Sequence, residues 1–314
     1  RGMATNIQPD AYDDLGSELV EGIATAIDPL EITALDPERK TAIIEVVEPE
    51  SLAEFDEDLL GGIVAGVEPD NIAEWDPEVE LVGAVDTLAS DSTLLLPDGS
   101  SSIPYEVSLE KLLLRCKADV IVDFTNADGC KVMARIAAVN GLHMVIGSTG
   151  LKDTDISDLD ELSRRHNVGI VFAPNFTVGA VLLNYLARIA ARFFDYADIN
   201  EAHHEAKIDA PSGTAMKLAH DISAEKEFVH PNPETESLAG TRGGIFNGLS
   251  VHSSRMPGRM AHHEVVFGSM GQVLTLRHDT INRECYMPGV LLAVKEVVQM
   301  REMVVGLEAI LGLV

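Results

Sequence analysis

The chain has 314 residues, is 46% hydrophobic and carries a formal net charge of -28 at pH 7; it can build a sizeable core in about two domains, and its acidity argues against nucleic acid and anionic membranes as partners. Three cysteines, Cys116, Cys130 and Cys285, are too few and too oddly spaced for a disulfide scaffold or a structural zinc site, so a reducing, cytoplasmic setting is expected. No uncharged apolar run approaches about 18 residues, and no positively charged start precedes an apolar run, so neither membrane spanning nor export is expected.

The acidity is concentrated at the front. Residues 1–86 hold 23 Asp or Glu against only Arg1, Arg39 and Lys40, a balance of -20, which reads as a solvated, aggregation-resistant face. The same region repeats with a period of 40: ELVEGIATAIDPLEITALDPE (18–38) lies over DLLGGIVAGVEPDNIAEWDPE (58–78). Each copy reads as an amphipathic helix, a proline-marked stop and a lead into a strand, TAIIEVV (41–47) after the first and VELVGAVD (79–86) after the second. Ser51 and Glu54 suit a capping box for a helix over 52–66, which completes a βαβ unit.

Further on, DSTLLLPDGSSSI (91–103) reads as a turn-rich connection and 109–116 as a helix with Leu112 and Leu113 inward. ADVIVDFT (118–125) is apolar almost throughout, as expected of a parallel strand covered on both faces. A helix over about 127–140, a strand at 143–149, a helix around 156–165 and a strand at 168–173 continue the alternation. The fold class is therefore α/β: a Rossmann-like, mostly parallel sheet, with right-handed crossovers.

The character changes after Pro174. An apolar helix (178–194) leads into ADINEAHH, a helix over 214–224, and extended runs FNGLSVHSS, HHEVVFGS and QVLTLRHD, which suggest a second α+β domain with a mixed or antiparallel sheet. The expected division is 1–174, with the helix and tail at 288–314 returning to it, and 175–287.

The chemistry gathers in NEAHHEAKIDAPSGTA (200–215). Strand alternation sends His203 and His204 to opposite faces, and a bend brings Lys207 near His203. An amine and an imidazole that converge suit an anionic substrate, one as a positive clamp and the other passing a proton near neutral pH. Pro211 excludes a helix before it, and Ser212, Gly213 and Thr214 open one whose free amides and hydroxyls can cradle a carboxylate; a plain capped helix start fits them equally well. In HSSRMPGRMAHHE (252–264), Arg255, Arg259, His262 and His263 fit anion clamps, a loop or, least well, a metal site, so no metal is expected. GSTG (147–150) and APNF (173–176) each end a strand, where small residues and amides can meet a ligand.

Taken together, IVDFT, GSTG, APNFTVGAVLL, EAHHEAKIDAPSGTA, HSSRMPG and HHEVVFG resemble the dihydrodipicolinate reductase family over roughly residue 79 to the end. The resemblance implies an N-terminal dinucleotide-binding domain and a C-terminal domain for substrate and tetramer assembly. It implies that NADH or NADPH delivers hydride to a cyclic unsaturated dicarboxylate in lysine and diaminopimelate synthesis. His203 would be the catalytic acid or proton relay and Lys207 its substrate-binding partner; His204, Ser212, Gly213 and Thr214 would hold substrate. Gly147, Ser148, Thr149 and Gly150, with Ala173, Pro174, Asn175 and Phe176, would line the nicotinamide site. Asp86, at the end of VELVGAVD, is placed to bond a ribose diol and would favour NADH.

One departure stands out. Where the family has a glycine-rich phosphate loop, the candidate first strand is followed by Glu48-Pro49-Glu50, which offers two negative charges and one missing amide to a pyrophosphate. Two other readings follow from it: a divergent member that acts on a similar dicarboxylate without nicotinamide redox, or a non-catalytic binding or regulatory module.

Overall fold

The computed structural model describes residues 40–45, 78–95 and 102–313. The duplicated segments, the helix expected over 52–66 with its Ser51 cap, and the Glu48-Pro49-Glu50 loop lie outside the described residues. The chain divides into two compact units, one running to Phe176 and taking back Tyr286–Gly312, the other spanning Thr177–Cys285.

In the first unit the described strands are β1 (Lys40–Glu45), β2 (Val79–Val85), β3 (Thr93–Leu95), β4 (Ser102–Glu106), β5 (Val120–Asp123), β6 (His143–Ile146), β7 (Ile170–Phe172) and β13 (Met303–Val305). They form one sheet in the order β13-β7-β6-β5-β1-β2-β4-β3, parallel throughout except that β3 runs against β4. From β1 the chain steps outward through β2 to β4, then returns to the other side of β1 and steps through β5, β6 and β7. The order therefore reverses between β1 and β5, the place where open α/β sheets bind ligands at their carboxyl ends. Every residue of β5 and β7 is buried, because helices cover both faces.

Helix α1 (Leu109–Leu112) turns Leu109 and Leu112 into the core, while Leu113 is only partly buried. Helix α2 (Ala127–Val139) starts at Asn126, whose side chain accepts hydrogen bonds from the Asp128 and Gly129 amides; it buries Cys130, Met133, Ala134, Ala137 and Ala138 at helical spacing. Helix α3 (Asp153–His166) carries Asp153 and Asp155 in its first turn and Arg164, Arg165 and His166 in its last, matching the helix dipole. The connection expected at 91–103 in fact contains β3 and the first residues of β4. Short strands at a sheet edge, one containing Pro104, leave too little period-two signal to read. β13, three residues long, joins the far edge beside β7.

The second unit follows α4 (Val178–Ala191) with β8 (Tyr196–His203), α5 (Gly213–Glu225), β9 (Gly244–Phe246), β10 (Leu249–Arg255), β11 (Ala261–Ser269) and β12 (Gln272–Thr280). Its sheet has the order β12-β11-β8-β10-β9; β8 and β10 are parallel and the other pairs antiparallel, so the sheet is mixed. On one face Ile199, Leu249, Val251, Val265 and Phe267 pack with Leu183 and Ala187 of α4 and Ala215, Leu218 and Ile222 of α5. That face is apolar along most of β8, then turns polar at Glu201 and His203, both still buried.

The first unit closes with α6 (Met287–Val297) and α7 (Leu307–Ile310). A Cβ on Gly289 of α6 would stand 2.0 Å from the Phe176 carbonyl oxygen and 3.0 Å from Leu307 Cδ2. On helix propensity alone, Gly289→Ala would stabilise. Because the obstacle is backbone, we expect it instead to lower stability by about 1–3 kcal/mol, read as a lower urea midpoint for the first unit; a raised midpoint would show that α6 can move aside.

Candidate active site

At the carboxyl end of β8, Glu201 and His203 stand on the helix-covered face, two residues apart as strand alternation requires. Glu201 Oε2 lies 2.6 Å from His203 Nδ1. Arg255, opposite His203 in the parallel β8–β10 register, donates to both Glu201 oxygens, Nη1 to Oε2 and Nη2 to Oε1, each at 2.9 Å. The Ser212 amide adds a longer bond to Oε1 at 3.3 Å. Burial pushes the Glu201 carboxyl up, but the hydrogen bonds from His203, Arg255 and Ser253 outweigh it and hold it down at about 2.

His263 of β11 lies opposite Glu201 in the antiparallel register, and its ring meets the His203 ring edge-on with centroids 5.2 Å apart. Burial, helped by the neighbouring His203, lowers the His263 imidazole to about 3. It is therefore neutral at working pH. Its Nε2 is 3.1 Å from Ser212 Oγ, and that oxygen also accepts the Ala215 amide at 3.2 Å as the N-cap of α5.

The helix start has a second side. Gly213 is exposed and a Cβ there would meet nothing within 4 Å, so the backbone faces open space. Helix geometry gives the Gly213 and Thr214 amides no partner within α5. Ser212, by contrast, is buried and its hydroxyl is engaged in capping. The turn after β8 is closed by the Lys207 amide donating to the His204 carbonyl, and Lys207 Nζ pairs with Asp209 at 3.0 Å. His203 is buried and His204 half-buried, as alternation across the strand end demands. The structure thus brings His203, Ser212, Glu201, Arg255 and His263 into one network. His262 goes elsewhere, its Nδ1 2.7 Å from Asp279. Among the described residues no group of three or more His, Cys, Asp or Glu is arranged to hold a metal ion.

In the first unit the candidate residues follow β5, β6 and β7. Gly147 is dictated by packing, since a Cβ would lie 2.0 Å from Phe124 Cε1, and Phe124 in turn packs on Phe176 at 5.4 Å. Ser148 is buried and its hydroxyl donates to Asp123 Oδ1 at 3.0 Å. Thr149 bridges to Asn126, and Gly150 has a φ of 80, a left-handed conformation that suits glycine. Ala173 and Phe176 are buried, Asn175 half-buried and Pro174 exposed. Asp86 directly follows β2 and is fully buried; Oδ1 accepts the Leu88 amide at 2.8 Å and Oδ2 the Tyr105 hydroxyl at 3.1 Å.

Comparison with known proteins decides the family. Family models for the N-terminus and the C-terminus of dihydrodipicolinate reductase match residues 69–176 and 179–311. The chain belongs to the dihydrodipicolinate reductase family. It is 45% identical over 232 residues to the 4-hydroxy-tetrahydrodipicolinate reductase of Dehalococcoides mccartyi (strain BAV1), which covers 74% of this chain and 88% of that protein. The Moorella thermoacetica enzyme of the same name is 43% identical over 237 residues, 74% of this chain and 89% of that one. Among solved structures, a dipicolinate-bound dihydrodipicolinate reductase from Paenisporosarcina sp. TG-14 superposes with a TM-score of 0.70 at 32% identity, covering 86% of this chain and 99% of that one.

Within this reductase fold, sequence reasoning missed Glu201 and left Arg255 and His263 among several uses. The signal for Glu201 was available: Ala197, Ile199, Glu201 and His203 share one strand face, so a carboxylate falls on a buried side beside a histidine.

Two shifted groups of the site contribute to the acid behaviour. Below pH 6.5 the unfolded chain protonates His263 while the folded chain refuses the proton until about 3, so stability is full above 6.5 and falls as pH drops through that window. Glu201, held at about 2 against an ordinary 4.5, removes further stability only below 4.5. We expect His263→Gln to flatten the loss of denaturation midpoint between pH 6.5 and 5; parallel curves for parent and variant would refute the assignment.

Proposed function

We propose that the chain is a 4-hydroxy-tetrahydrodipicolinate reductase, an NAD(P)H-dependent oxidoreductase of diaminopimelate and lysine synthesis, whose first unit holds the cofactor and whose second holds a small cyclic dicarboxylate. The observation that carries this reading is the second unit's end of β8. There a hydrogen-bonded, buried imidazole and the open amides that start α5 belong to one network, in a chain 45% identical to such a reductase.

The second unit's residues divide the work. His203, with Nδ1 engaged by Glu201, has Nε2 left to pass the proton that balances hydride addition to the substrate ring. Lys207 and the Gly213 and Thr214 amides neutralise the substrate's acid groups, Ser212 holds that turn in shape, and His204 contributes from beside the strand end. Charge that develops on the ring is thus met by groups already in place.

The fit of the first unit to a dinucleotide rests on its own geometry. Loops after β5, β6 and β7 lie at the carboxyl ends of neighbouring parallel strands, beside the reversal of strand order. In the same place the buried Asp123 keeps Oδ2 without a hydrogen-bond partner among the described residues. When bound, NADH or NADPH supplies the hydride. Thr149, Gly150, Pro174 and Asn175 would meet it through backbone and side chain, while Gly147, Ser148, Ala173 and Phe176 shape the loops. Asp86 follows β2, the position from which an acidic residue reaches a ribose diol in the dinucleotide-binding fold, and this favours NADH.

Assembly as a homotetramer through the second sheet fits its other face, where Tyr196, Asp198, Val273, Thr275 and Arg277 are exposed. No helix among the described residues is long and apolar enough to cross a membrane, and the charge of -28 disfavours nucleic acid, which suits a cytoplasmic enzyme.

Titration with NADH, NADPH and pyridine-2,6-dicarboxylate tests the two units separately. Binding of both kinds of ligand, with NADH tighter than NADPH, is expected; dicarboxylate binding with no nicotinamide binding would remove the redox assignment, and tighter NADPH would remove the role of Asp86. We expect His203→Gln to lower kcat by about 10²-fold or more with little change in dicarboxylate affinity, and Lys207→Met to lower both. Unchanged turnover in both variants would overturn the assigned roles.

A further inference from the structure

We infer that Glu201 is a positioning residue for the proton transfer: it holds His203 in a single tautomer and ties that ring to the turn that presents the substrate-carboxylate amides. The inference rests on the proposed role of His203 and goes beyond it, because Glu201 touches neither substrate nor cofactor in that scheme.

One carboxylate makes both connections. Oε2 takes His203 Nδ1 at 2.6 Å, and an ionised carboxylate can only accept, so Nδ1 carries the hydrogen and Nε2 is the atom that exchanges a proton. Oε1 takes the Ser212 amide at 3.3 Å, next to Gly213. The ring and the amide-bearing turn therefore share one anchor, on a side chain with no solvent exposure of its own. A carboxylate so buried would ordinarily protonate and release both partners. Arg255 prevents this with its two bonds at 2.9 Å, and it also cancels the charge that Glu201 would present to a dianionic substrate.

Among the described residues, His203 is faced by Glu201 from its own strand, Arg255 from β10 and His263 from β11, which stays neutral. Glu201 is thus the anion in contact with the ring that favours its protonated form. Replacing it by an amide removes both that charge and the acceptor that fixes the Nδ1 hydrogen, so the pH limb of the reaction should move downward.

Glu201→Gln, Glu201→Asp and His203→Gln, each compared with the parent, test this. For Glu201→Gln we expect kcat to fall by about 10–100-fold, as for other partners that orient a working histidine, with the alkaline limb of the kcat–pH profile moved to lower pH. Pyridine-2,6-dicarboxylate should still bind within about threefold, which also reports a folded site. Glu201→Asp, which keeps the charge on a shorter arm, should return the limb toward the parental position without full rate. Parental kcat and profile in Glu201→Gln, with His203→Gln inactive, would overturn this inference alone. A loss of kcat and dicarboxylate binding together, with an unmoved limb and no return in Glu201→Asp, would assign Glu201 a structural role and overturn it too. Parental kcat in His203→Gln would instead bring down the function on which it rests.

Discussion

The working end of the second unit depends on keeping one ionised carboxylate out of water. Glu201 is 2% exposed, and burying an unpaired carboxylate costs several kcal/mol even after the protein relaxes. The structure meets that cost with donors from three places: the guanidinium at the end of β10, the imidazole two residues along β8, and the backbone amide of Ser212 just before α5. Each donor is thereby fixed relative to the others. A strand end, a neighbouring strand and a helix start are joined through a single side chain, so local disorder in any one of them would expose the carboxylate to a loss of partners.

The apolar core beneath makes this possible. Ile199 and Ala197 on β8, with Val265 and Phe267 on β11, hold the sheet against α4 and α5, and the polar residues continue the same face where helix cover gives way to the turn before α5. Position along the strand, more than any local motif, decides which residues become chemistry. The first unit follows the same logic at its own strand ends. β5 and β7 are buried through their lengths and β6 from Met144 on, and polar groups begin at Asp123, which gathers the Thr125 amide, the Thr125 hydroxyl and the Ser148 hydroxyl on one oxygen. That carboxylate cross-links the loops after β5 and β6 at the reversal of strand order, where a ligand needs two loops held in register.

Much of this was legible in the sequence because periodicity is a direct consequence of burial. The nearly continuous apolar run in 118–125 reads as a covered parallel strand, 168–173 reads as another strand of the alternation, and alternation separated His203 from His204. What stayed hidden are roles that depend on a partner distant in sequence. Arg255 looks like a clamp for an external anion until Glu201 is seen to hold it, 54 residues away. Gly147 looks like a residue that lets a ligand approach, whereas the Phe124 ring occupies the space its side chain would need. Ser148 and Ser212 offer hydroxyls to a reader of the sequence, but in the fold both are buried and already bonded. The short strands β3 and β13 are too brief to show a period, and only their pairing defines them.

Two cations of the second unit, Arg255 inside the network and Lys207 beside it, are not equivalent. Arg255 bonds a carboxylate with no exposure, so removing it would strand a buried charge; Lys207 pairs with Asp209, whose side chain is 43% exposed and can return to water with little loss. Under the proposed function, a substrate carboxylate would compete with Asp209 for Lys207, while the Arg255–Glu201 pair stays buried. In a chain whose overall charge is -28, the proposed exchange would give an entering anion a local positive partner.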